Sequence, residues 1–577
     1  MCGIVGILDL DTGKVENSLL KAMTDVLRHR GPDGEGFHIN GQIGLGHRRL
    51  TVIDLETGKQ PMSNEDKTIW ITYNGEIYNF QEIRKDLEKK GHQFKTRSDT
   101  EVILHAYEEY EHGCLRLFRG MFAFGLWDSR KKQLLVARDR IGKKPVYYYF
   151  NGRKFIFASE IKAILQDRSV KKEIDWDAFV DYFVYHYIPF PKSIFKNIYK
   201  VSPAHFLIVR LVKRMDGSAI TTKITGSGAS GFECIQEQRA CSQPDACCTI
   251  SPSVEHLELS THPYWDLEFN PDIRLSESDW IEGLKEKIRE SVRLRLVSDV
   301  PLGAFLSGGI DSSTIVAMMA SLCLEPPKTF SVGFKEKGFD ELQYSRTIAK
   351  RFETDHHEFI VTPDAIETLH ALSWAFDEPF ADSSAIPTYY VSKIARKHVT
   401  VILSGDGGDE TFAGYDRYQV ALYFKKLDFI PLAVRRIIFG ALSAMLPMGL
   451  KGKGTLRNLS RPRFNRSAGT RTFDGLGYLK KLFNPDLFHD ALKKCTSSNN
   501  DYPFLKQFYD HYPHADYLSR LQYEDIKTYL AEDIMAKVDR ASMLCSLETR
   551  SPFLDHELLE YAARIPASLQ IKNREKK

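Results

Sequence analysis

The chain has 577 residues, more than one hydrophobic core accommodates, so we expect two domains. Its 43% hydrophobic and 27% charged residues are typical of a globular enzyme. The net charge of +3 gives no electrostatic argument for a nucleic-acid or membrane partner, and no apolar run is long enough to span a bilayer.

The first element, Met1 to Ile7, places a cysteine at position 2 and has no signal-peptide pattern. If Met1 is removed, Cys2 carries a thiol nucleophile and a free α-amine on one residue. An α-amine has an unperturbed pKa of about 8, so it can accept the thiol proton directly or through water. The alternative is a small cysteine buried at the start of a strand.

Four polar motifs follow this cysteine within the first two hundred residues. Together with Cys2 they resemble the glutaminase domain of the class II glutamine amidotransferases, which have the N-terminal-nucleophile hydrolase fold, an α+β sandwich of αββα layers. The resemblance rests on Arg28-His29-Arg30-Gly31-Pro32-Asp33-Gly34, Gly46-His47-Arg48-Arg49-Leu50, Tyr73-Asn74-Gly75-Glu76-Ile77-Tyr78-Asn79 and Ser98-Asp99-Thr100-Glu101.

Physical roles fit these positions. Arg49 can bind the α-carboxylate of glutamine through two hydrogen bonds, and Glu76 and Asp99 can bind its α-ammonium. Asn74 and the N–H of Gly75 can form an oxyanion hole. Taken alone, Arg49 would be a surface ion pair and Asn74-Gly75 a hairpin turn.

Alternating apolar residues predict further strands and a helix in this half of the chain. We expect strands at Met121–Trp127, Gln133–Arg138, Val146–Phe150 and Lys154–Ala158, and a helix over Asp175–Tyr187. The predicted glutaminase domain covers residues 2–209.

Residues 210–262 do not fit this pattern. The segment is rich in Gly, Ser and Thr and holds Cys234, Cys241, Cys247 and Cys248, while cysteines are sparse elsewhere, which suits a reducing cytoplasm. The cysteine spacing is not a clean pair of C-x-x-C units, which disfavours zinc. We expect a disordered insertion, or translated sequence that does not belong to the protein.

Strands alternate with helices in the second predicted domain, residues 263–577, which predicts a doubly wound parallel sheet of the α/β class. Ser276 to Asp279 cap a helix that runs to Arg295. The remaining strands are expected at Leu302–Leu306, Lys328–Phe334, His356–Val361 and Val399–Leu403, with helices at Thr314–Leu322, Tyr344–Arg351 and Ala385–Lys397.

The loop Ser307-Gly308-Gly309-Ile310-Asp311-Ser312-Ser313 lies between a predicted strand and a predicted helix. Gly308 and Gly309 let the backbone approach an anion, to which the first N–H groups of the helix point. Ser307, Ser312 and Ser313 add hydroxyl donors, and Asp311 can share Mg²⁺ with a phosphate. The loop lacks the lysine of a P-loop, but it resembles the pyrophosphate loop of the N-type ATP pyrophosphatases, whose domains are similar to adenine nucleotide alpha hydrolases. An ordinary Gly/Ser turn is the alternative.

A second polar loop, Ser404-Gly405-Asp406-Gly407-Gly408-Asp409-Glu410, follows the last predicted strand. With Cys2 and the first loop, it resembles the family of glutamine-hydrolysing asparagine synthetases over nearly the whole chain. This resemblance implies ATP and Mg²⁺, a β-aspartyl-AMP intermediate made from aspartate, and ammonia that travels through an internal channel. It also implies that Leu306 and Val332 contact adenosine, that Ser404 and Gly405 line the ATP site, that Asp406 influences formation of the intermediate, and that Asp311 and Asp409 hold magnesium and pyrophosphate.

Two departures from the family leave alternatives open. Asp406 replaces a glutamate, so another carboxylate, such as a uronic acid of a surface polysaccharide, is a rival acceptor to aspartate. The chain stops where the family usually continues for tens of residues, and Lys577, or else Lys576, occupies the approximate place of a catalytic lysine. A truncated protein with glutaminase activity only is the third reading. We expect no nucleic-acid or membrane partner, a cytoplasmic location and assembly as a homodimer.

Overall fold

The computed structural model describes residues 1–213, 255–334, 342–361, 365–447, 450, 452–472 and 502–572. These residues form two six-stranded antiparallel sheets and one five-stranded parallel sheet. In the described helices no segment is long and apolar enough to cross a membrane.

The two antiparallel sheets make up the N-terminal half. The first has the order β10-β8-β9-β1-β3-β2 and the second the order β12-β11-β7-β6-β5-β4. The strands are β1 (Gly3–Asp9), β2 (Gly34–Asn40), β3 (Ile43–Arg49), β4 (Met62–Ser63), β5 (Ile69–Ile77), β6 (Gly120–Asp128), β7 (Gln133–Arg138), β8 (Tyr147–Phe150), β9 (Lys154–Ala158), β10 (Ile198–Lys200), β11 (His205–Lys213) and β12 (Glu255–Pro263).

Helices cover the outer face of each sheet. Apolar residues of α1 pack with the first sheet and those of α3 with the second, while a third apolar layer lies between the sheets. Phe157 fills this middle layer, and a Cβ on either Gly6 or Gly125 would lie 1.9–2.0 Å from its ring, so close approach requires glycine there. The predicted αββα sandwich is confirmed. The helices are α1 (Asn17–Asp25), α2 (Phe80–Lys89), α3 (Asp99–Tyr110), α4 (Ile161–Ile164) and α5 (Trp176–Tyr185).

The parallel sheet has the order β15-β14-β13-β16-β17. Its strands are β13 (Leu302–Phe305), β14 (Lys328–Phe334), β15 (Asp355–Val361), β16 (Val401–Leu403) and β17 (Glu548–Arg550). The predicted doubly wound α/β domain is confirmed, but sequence analysis missed β17. The loops after β13 and β16, which are neighbours, lie at the same carboxyl-terminal edge of the sheet.

Helices surround this sheet and form a C-terminal helical region. The capping box predicted at Ser276 is present, with Asp279 as its partner. The helices are α6 (Glu277–Arg295), α7 (Ile310–Leu322), α8 (Leu342–Arg351), α9 (Ala365–Phe376), α10 (Ala385–Ala395), α11 (Gly408–Thr411), α12 (Asp416–Lys425), α13 (Leu432–Met445), α14 (Lys453–Leu459), α15 (Arg463–Ala468), α16 (Pro503–His511), α17 (Tyr517–Lys527), α18 (Met535–Met543), α19 (His556–Ala562) and α20 (Ala567–Gln570).

The boundaries predicted for the insertion, residues 210–262, are wrong. Strand β11 continues to Lys213, and β12 pairs with it from Glu255, so residues at both ends of the predicted insertion belong to the second sheet. Leu257 and Leu259 alternate along β12 and are buried in the layer between the sheets. Residues 214–254, with the predicted disorder and the four cysteines, lie outside the described residues.

Candidate active site

Cys2 lies at the start of β1, buried where the two halves of the protein meet. Its backbone N–H donates a 2.8 Å hydrogen bond to Asn74 Oδ1, and its Sγ lies 3.9 Å from the carbonyl oxygen of Leu50. Burial raises the pKa of the Cys2 thiol. Met1 precedes it, and the Met1 ammonium lies 2.7 Å from Glu548 Oε2 in a fully buried ion pair.

Asn74 is oriented by this contact. Because Oδ1 accepts from Cys2, the amide nitrogen Nδ2 points elsewhere, and it is buried without a hydrogen-bond partner in the described part of the chain. A buried donor without a partner is costly unless a ligand supplies an acceptor. A Cβ on the next residue, Gly75, would lie 2.1 Å from the Met121 carbonyl oxygen, so glycine is needed there.

Two buried acids, Glu76 and Asp99, lie in the same region. Asp99 Oδ2 accepts hydrogen bonds of 2.9 Å from the Tyr73 hydroxyl and the Ile77 N–H. Burial, together with Glu548, raises the pKa of Asp99 to about 6 and holds the pKa of Glu76 well above its usual range. Two close acids that are hard to ionise together favour a bound cation, such as an α-ammonium.

Arg49 is placed at the end of β3, and its guanidinium is already occupied. It donates to the carbonyl oxygens of Ile53 (3.3 Å), Leu55 (3.4 Å) and Asp54. These bonds hold the loop that follows β3 and leave the guanidinium half-buried.

The Ser307–Ser313 stretch follows β13 as predicted, but α7 begins at Ile310, four residues before the predicted Thr314, so residues 310–313 form its first turn. Gly308 has a φ of +84°, and a Cβ there would lie 2.5 Å from Tyr344 Cβ, so both conformation and space require glycine. Ser307 Oγ and Ser312 Oγ are 3.0 Å apart, and Ser307 Oγ accepts from the Gly309 N–H at 3.3 Å. Ser313 Oγ is buried without a hydrogen-bond partner among the described residues.

The loop after β16 packs directly on the first loop. A Cβ on Gly405 would lie 2.9 Å from Asp311 Cβ, and one on Gly408 would lie 2.6 Å from the Asp311 carboxylate. Asp409 in turn lies against Gly414, where a Cβ would be 1.9 Å from Oδ1. Gly405, Gly408 and Gly414 therefore lie where a side chain would displace Asp311 or Asp409.

The remaining ATP-site residues predicted from sequence lie at the same sheet edge. Ser404 Oγ lies 3.1 Å from Ser551 Oγ, and the Ser404 N–H donates to the Arg550 carbonyl at 2.9 Å. Leu306 is buried, and Val332 lies in β14, which neighbours β13. Lys576 and Lys577 lie outside the described residues.

Sequence analysis missed a charged cluster behind Asp406. Lys537 of α18 donates to Asp382 (2.9 Å) and to Ser384 (2.7 Å), and its charge opposes the burial that raises the pKa of Asp406. Burial and the Asp382 charge raise the pKa of Asp533 to about 8. No local motif marks these residues, since they come from three separate elements.

The interface between the two halves was also missed, and it passes through Arg30. This fully buried side chain donates to the Cys2 carbonyl (3.1 Å), to Glu160 (2.9 Å) and, through both terminal nitrogens, to Asp539 of α18 (2.8 and 3.1 Å). Charged side chains therefore link the Cys2 backbone to the parallel-sheet half of the protein.

Arg550 of β17 makes a second link of this kind. It donates to Glu548 at 2.7 Å and lies 3.8 Å from Glu76 of the N-terminal half. The Arg30–Asp539 and Arg550–Glu76 pairs join residues hundreds of positions apart, so no local sequence pattern predicts them.

Comparisons with known proteins agree with this arrangement. A family described as a glutamine amidotransferase domain matches residues 1–217, and one described as asparagine synthase matches residues 283–577. Asparagine synthetase (glutamine-hydrolyzing) 1 of Bacillus subtilis is 34% identical, covering 99% of this chain and 82% of that protein.

Two further relatives show the range of names. Putative asparagine synthetase (glutamine-hydrolyzing) 2 of Methanocaldococcus jannaschii is 39% identical over 74% of this chain and 78% of its own length. Amidase chry2 of Gibberella zeae is 29% identical over 96% of this chain and 79% of its own. On the sequence matches to both domains, the chain belongs to the asparagine synthase family and carries that family's synthase domain behind a glutamine amidotransferase domain.

Proposed function

We propose that this protein makes asparagine from aspartate, using glutamine as nitrogen donor and cleaving ATP to AMP and pyrophosphate. The observation that carries the proposal is the pairing, in one chain, of the Cys2–Asn74 contact with a Ser-Gly-Gly loop at the edge of a parallel sheet. We assign the glutaminase to the two antiparallel sheets, which end with β12 at Pro263, and the synthetase to the residues that follow.

In the glutaminase, removal of Met1 frees the Cys2 α-amine, which takes the thiol proton, and the Cys2 thiolate attacks the amide carbon of glutamine. Asn74 Nδ2 and the Gly75 N–H stabilise the resulting oxyanion. Collapse of the intermediate breaks the C–N bond, and ammonia leaves with the proton that the Cys2 amine took from the thiol. Water then hydrolyses the thioester to glutamate.

Substrate recognition in this site uses three charged side chains. Glu76 and Asp99, whose raised pKa values favour a nearby cation, bind the α-ammonium of glutamine. Arg49 binds the α-carboxylate by exchanging part of its contacts with the loop carbonyls at residues 53–55.

In the synthetase, the Ser307–Ser313 loop holds the pyrophosphate part of ATP through its hydroxyls and the first N–H groups of α7. The unpartnered Ser313 hydroxyl supports this assignment, since a phosphate oxygen would satisfy it. The aspartate β-carboxylate attacks the α-phosphorus and expels pyrophosphate, and ammonia then displaces AMP from the acyl phosphate. Leu306 and Val332 contact the adenosine, and Ser404 and Gly405 line its site. We assign to Asp406, which lies beside Lys537, the role of positioning the aspartate. We assign Lys577 to the same synthetase reaction.

The acids of the two loops fit a magnesium ion. Asp311 and Asp409 are hard oxygen donors, and the glycines packed against them leave no side chain in the way. These two residues would hold Mg²⁺, which when bound offsets the charge that grows on the departing pyrophosphate.

Purified protein with aspartate, glutamine and ATP tests the whole assignment. Asparagine, glutamate, AMP and pyrophosphate should form in equal amounts.

Cys2→Ala should abolish glutamine use but keep synthesis from free ammonia, because Cys2 lies in the other half from the ATP loop. Glutamate release by Cys2→Ala, or intact Met1 in mass spectra of active protein, would contradict the role of Cys2. Sedimentation of the same preparation tests the expected homodimer.

A second acceptor is favoured by one observation. Asp406 is about one methylene shorter than the glutamate expected there, which leaves room for a longer carboxylate. A parallel assay with a uronic acid in place of aspartate distinguishes the two acceptors through pyrophosphate release. The sparse cysteines outside 214–254 support a cytoplasmic location for either reaction.

A further inference from the structure

Helix α13 presents an apolar stripe to solvent. Its exposed large side chains are 40–79% accessible and recur at helical spacing on one face. Phe429, just before the helix, is 80% exposed. The residues of the stripe are Val434, Ile437, Ile438, Leu442 and Met445.

The opposite face of α13 packs against the protein and carries both apolar and polar side chains; Leu432 and Phe439 are half-buried there. Buried Arg435 lies 3.3 Å from Asp428 and donates to the carbonyls of Ile430 (3.1 Å) and Leu459 (3.3 Å). Ser443 is also buried and donates to the Lys453 carbonyl at 3.3 Å. A surface helix of a globular protein normally buries its apolar stripe. On α13 a contiguous apolar stripe stays exposed in addition to the packed face, which marks the stripe as a contact surface.

The charge around this helix is strongly positive. Residues 416–466 hold eleven Lys and Arg but only two Asp and no Glu, whereas the whole chain has 79 Lys and Arg against 76 Asp and Glu. One of the two acids, Asp428, is shared by Arg435, Arg463 and Arg466. Lys425, Lys426, Arg436 and Arg457 are exposed.

We propose that the surface formed by residues 425–445, centred on α13, binds an anionic lipid bilayer. An apolar stripe flanked by basic side chains matches the boundary between acyl chains and anionic headgroups. The 14 residues of α13 are about 21 Å long, less than the roughly 30 Å of a hydrocarbon core, so the helix lies in the interface plane. The near-neutral charge of the whole chain predicted no membrane partner; the proposal departs from that prediction because it rests on the local charge.

Sedimentation of the full-length protein with vesicles tests this proposal. Phosphatidylcholine vesicles with about 30% phosphatidylglycerol should pull the protein down, and vesicles of phosphatidylcholine alone should bind it at least about tenfold more weakly. Ile437→Glu/Met445→Glu should lower binding to anionic vesicles at least about tenfold, because the stripe no longer inserts. Ile273→Glu, at an apolar residue 85% exposed elsewhere, is the matched control and should bind as the wild type does.

A second variant keeps the test independent of the apolar stripe. Lys425→Gln/Lys426→Gln/Arg436→Gln should weaken binding to anionic vesicles and reduce its salt dependence. Unchanged pyrophosphate release from aspartate and ATP shows that the half of the protein that carries α13 is folded in each variant. Absence of wild-type binding, equal binding to neutral vesicles, or equal loss in Ile273→Glu would overturn the proposal. Self-association that disappears in Ile437→Glu/Met445→Glu, without vesicle binding, would assign the surface to a second copy of the chain.

Discussion

Asp539→Asn tests whether the buried charges around Arg30 hold the two halves together. The substitution keeps the shape of the side chain and removes its charge, so Arg30, Lys144 and Arg540 share fewer counter-charges. Removing one partner of a buried ion pair destabilises a protein by about 3–5 kcal/mol. Since asparagine can still accept one hydrogen bond from Arg30, we expect a loss of about 3 kcal/mol, the low end of that range.

Urea unfolding, followed by tryptophan fluorescence, measures this loss in the first transition. The charges of Arg30 and Lys144 outweigh burial and hold the pKa of Asp539 below its ordinary value. A lowered native pKa gives stability that is present above the unfolded pKa of about 3.9 and lost as pH falls further. The difference between wild type and Asp539→Asn should therefore be full at pH 7 and shrink below about pH 4.

Asp86→Asn is the matched control, because Asp86 forms an exposed surface pair with Lys89. We expect no measurable change in its unfolding midpoint. Equal midpoints for the Asp539 and Asp86 variants, or a difference from wild type that grows as the pH is lowered, would refute the account of the Arg30 interface.

Three further predictions address the two sites and the insertion. Asn74→Ala should lower glutamate release by about 10²–10³-fold through loss of an oxyanion donor, while ammonia-dependent synthesis continues; less than a tenfold fall would remove Asn74 from that role. Asp311→Asn should lower pyrophosphate release from aspartate and ATP by about a hundredfold with glutamate release intact. Asp355→Asn, at an exposed site on β15, should not lower pyrophosphate release. Equal pyrophosphate release by the two variants would mean that the Ser307–Ser313 loop is an ordinary turn. Deletion of residues 214–254, with Lys213 joined to Glu255 by a short turn, should keep both activities, because β11 and β12 stay paired and loop length adds little free energy. Insoluble protein would contradict this.

Local patterns carried most of the fold prediction. The strand, loop and helix around Ser307 are contiguous, so an apolar run, two glycines and a periodic segment suffice to predict them. The predicted helix over Asp175–Tyr187 is shorter in the structure: Asp175 caps it, and His186 ends it with a φ of 71°.

Other elements have no local signal of that strength. Strand β17 is three residues long, too short to show a period. The alternation of Leu257 and Leu259 along β12 is visible in the sequence, but the polar residues before it led us to assign the whole stretch to the insertion. Arg30 and Asp539 are separated by 509 positions, so only the folded chain brings them together.

Strand β17 also governs the order in which the protein assembles during synthesis. The glutaminase sheets are complete once Pro263 has emerged, but Glu548 follows nearly three hundred residues later. At about 5–20 residues per second, a ribosome needs roughly 15–60 s to cover that distance. Throughout this interval Arg30 lacks its partner Asp539 of α18. Because β17 is synthesised last, the parallel sheet can be completed only after all the strands of the two antiparallel sheets have been made.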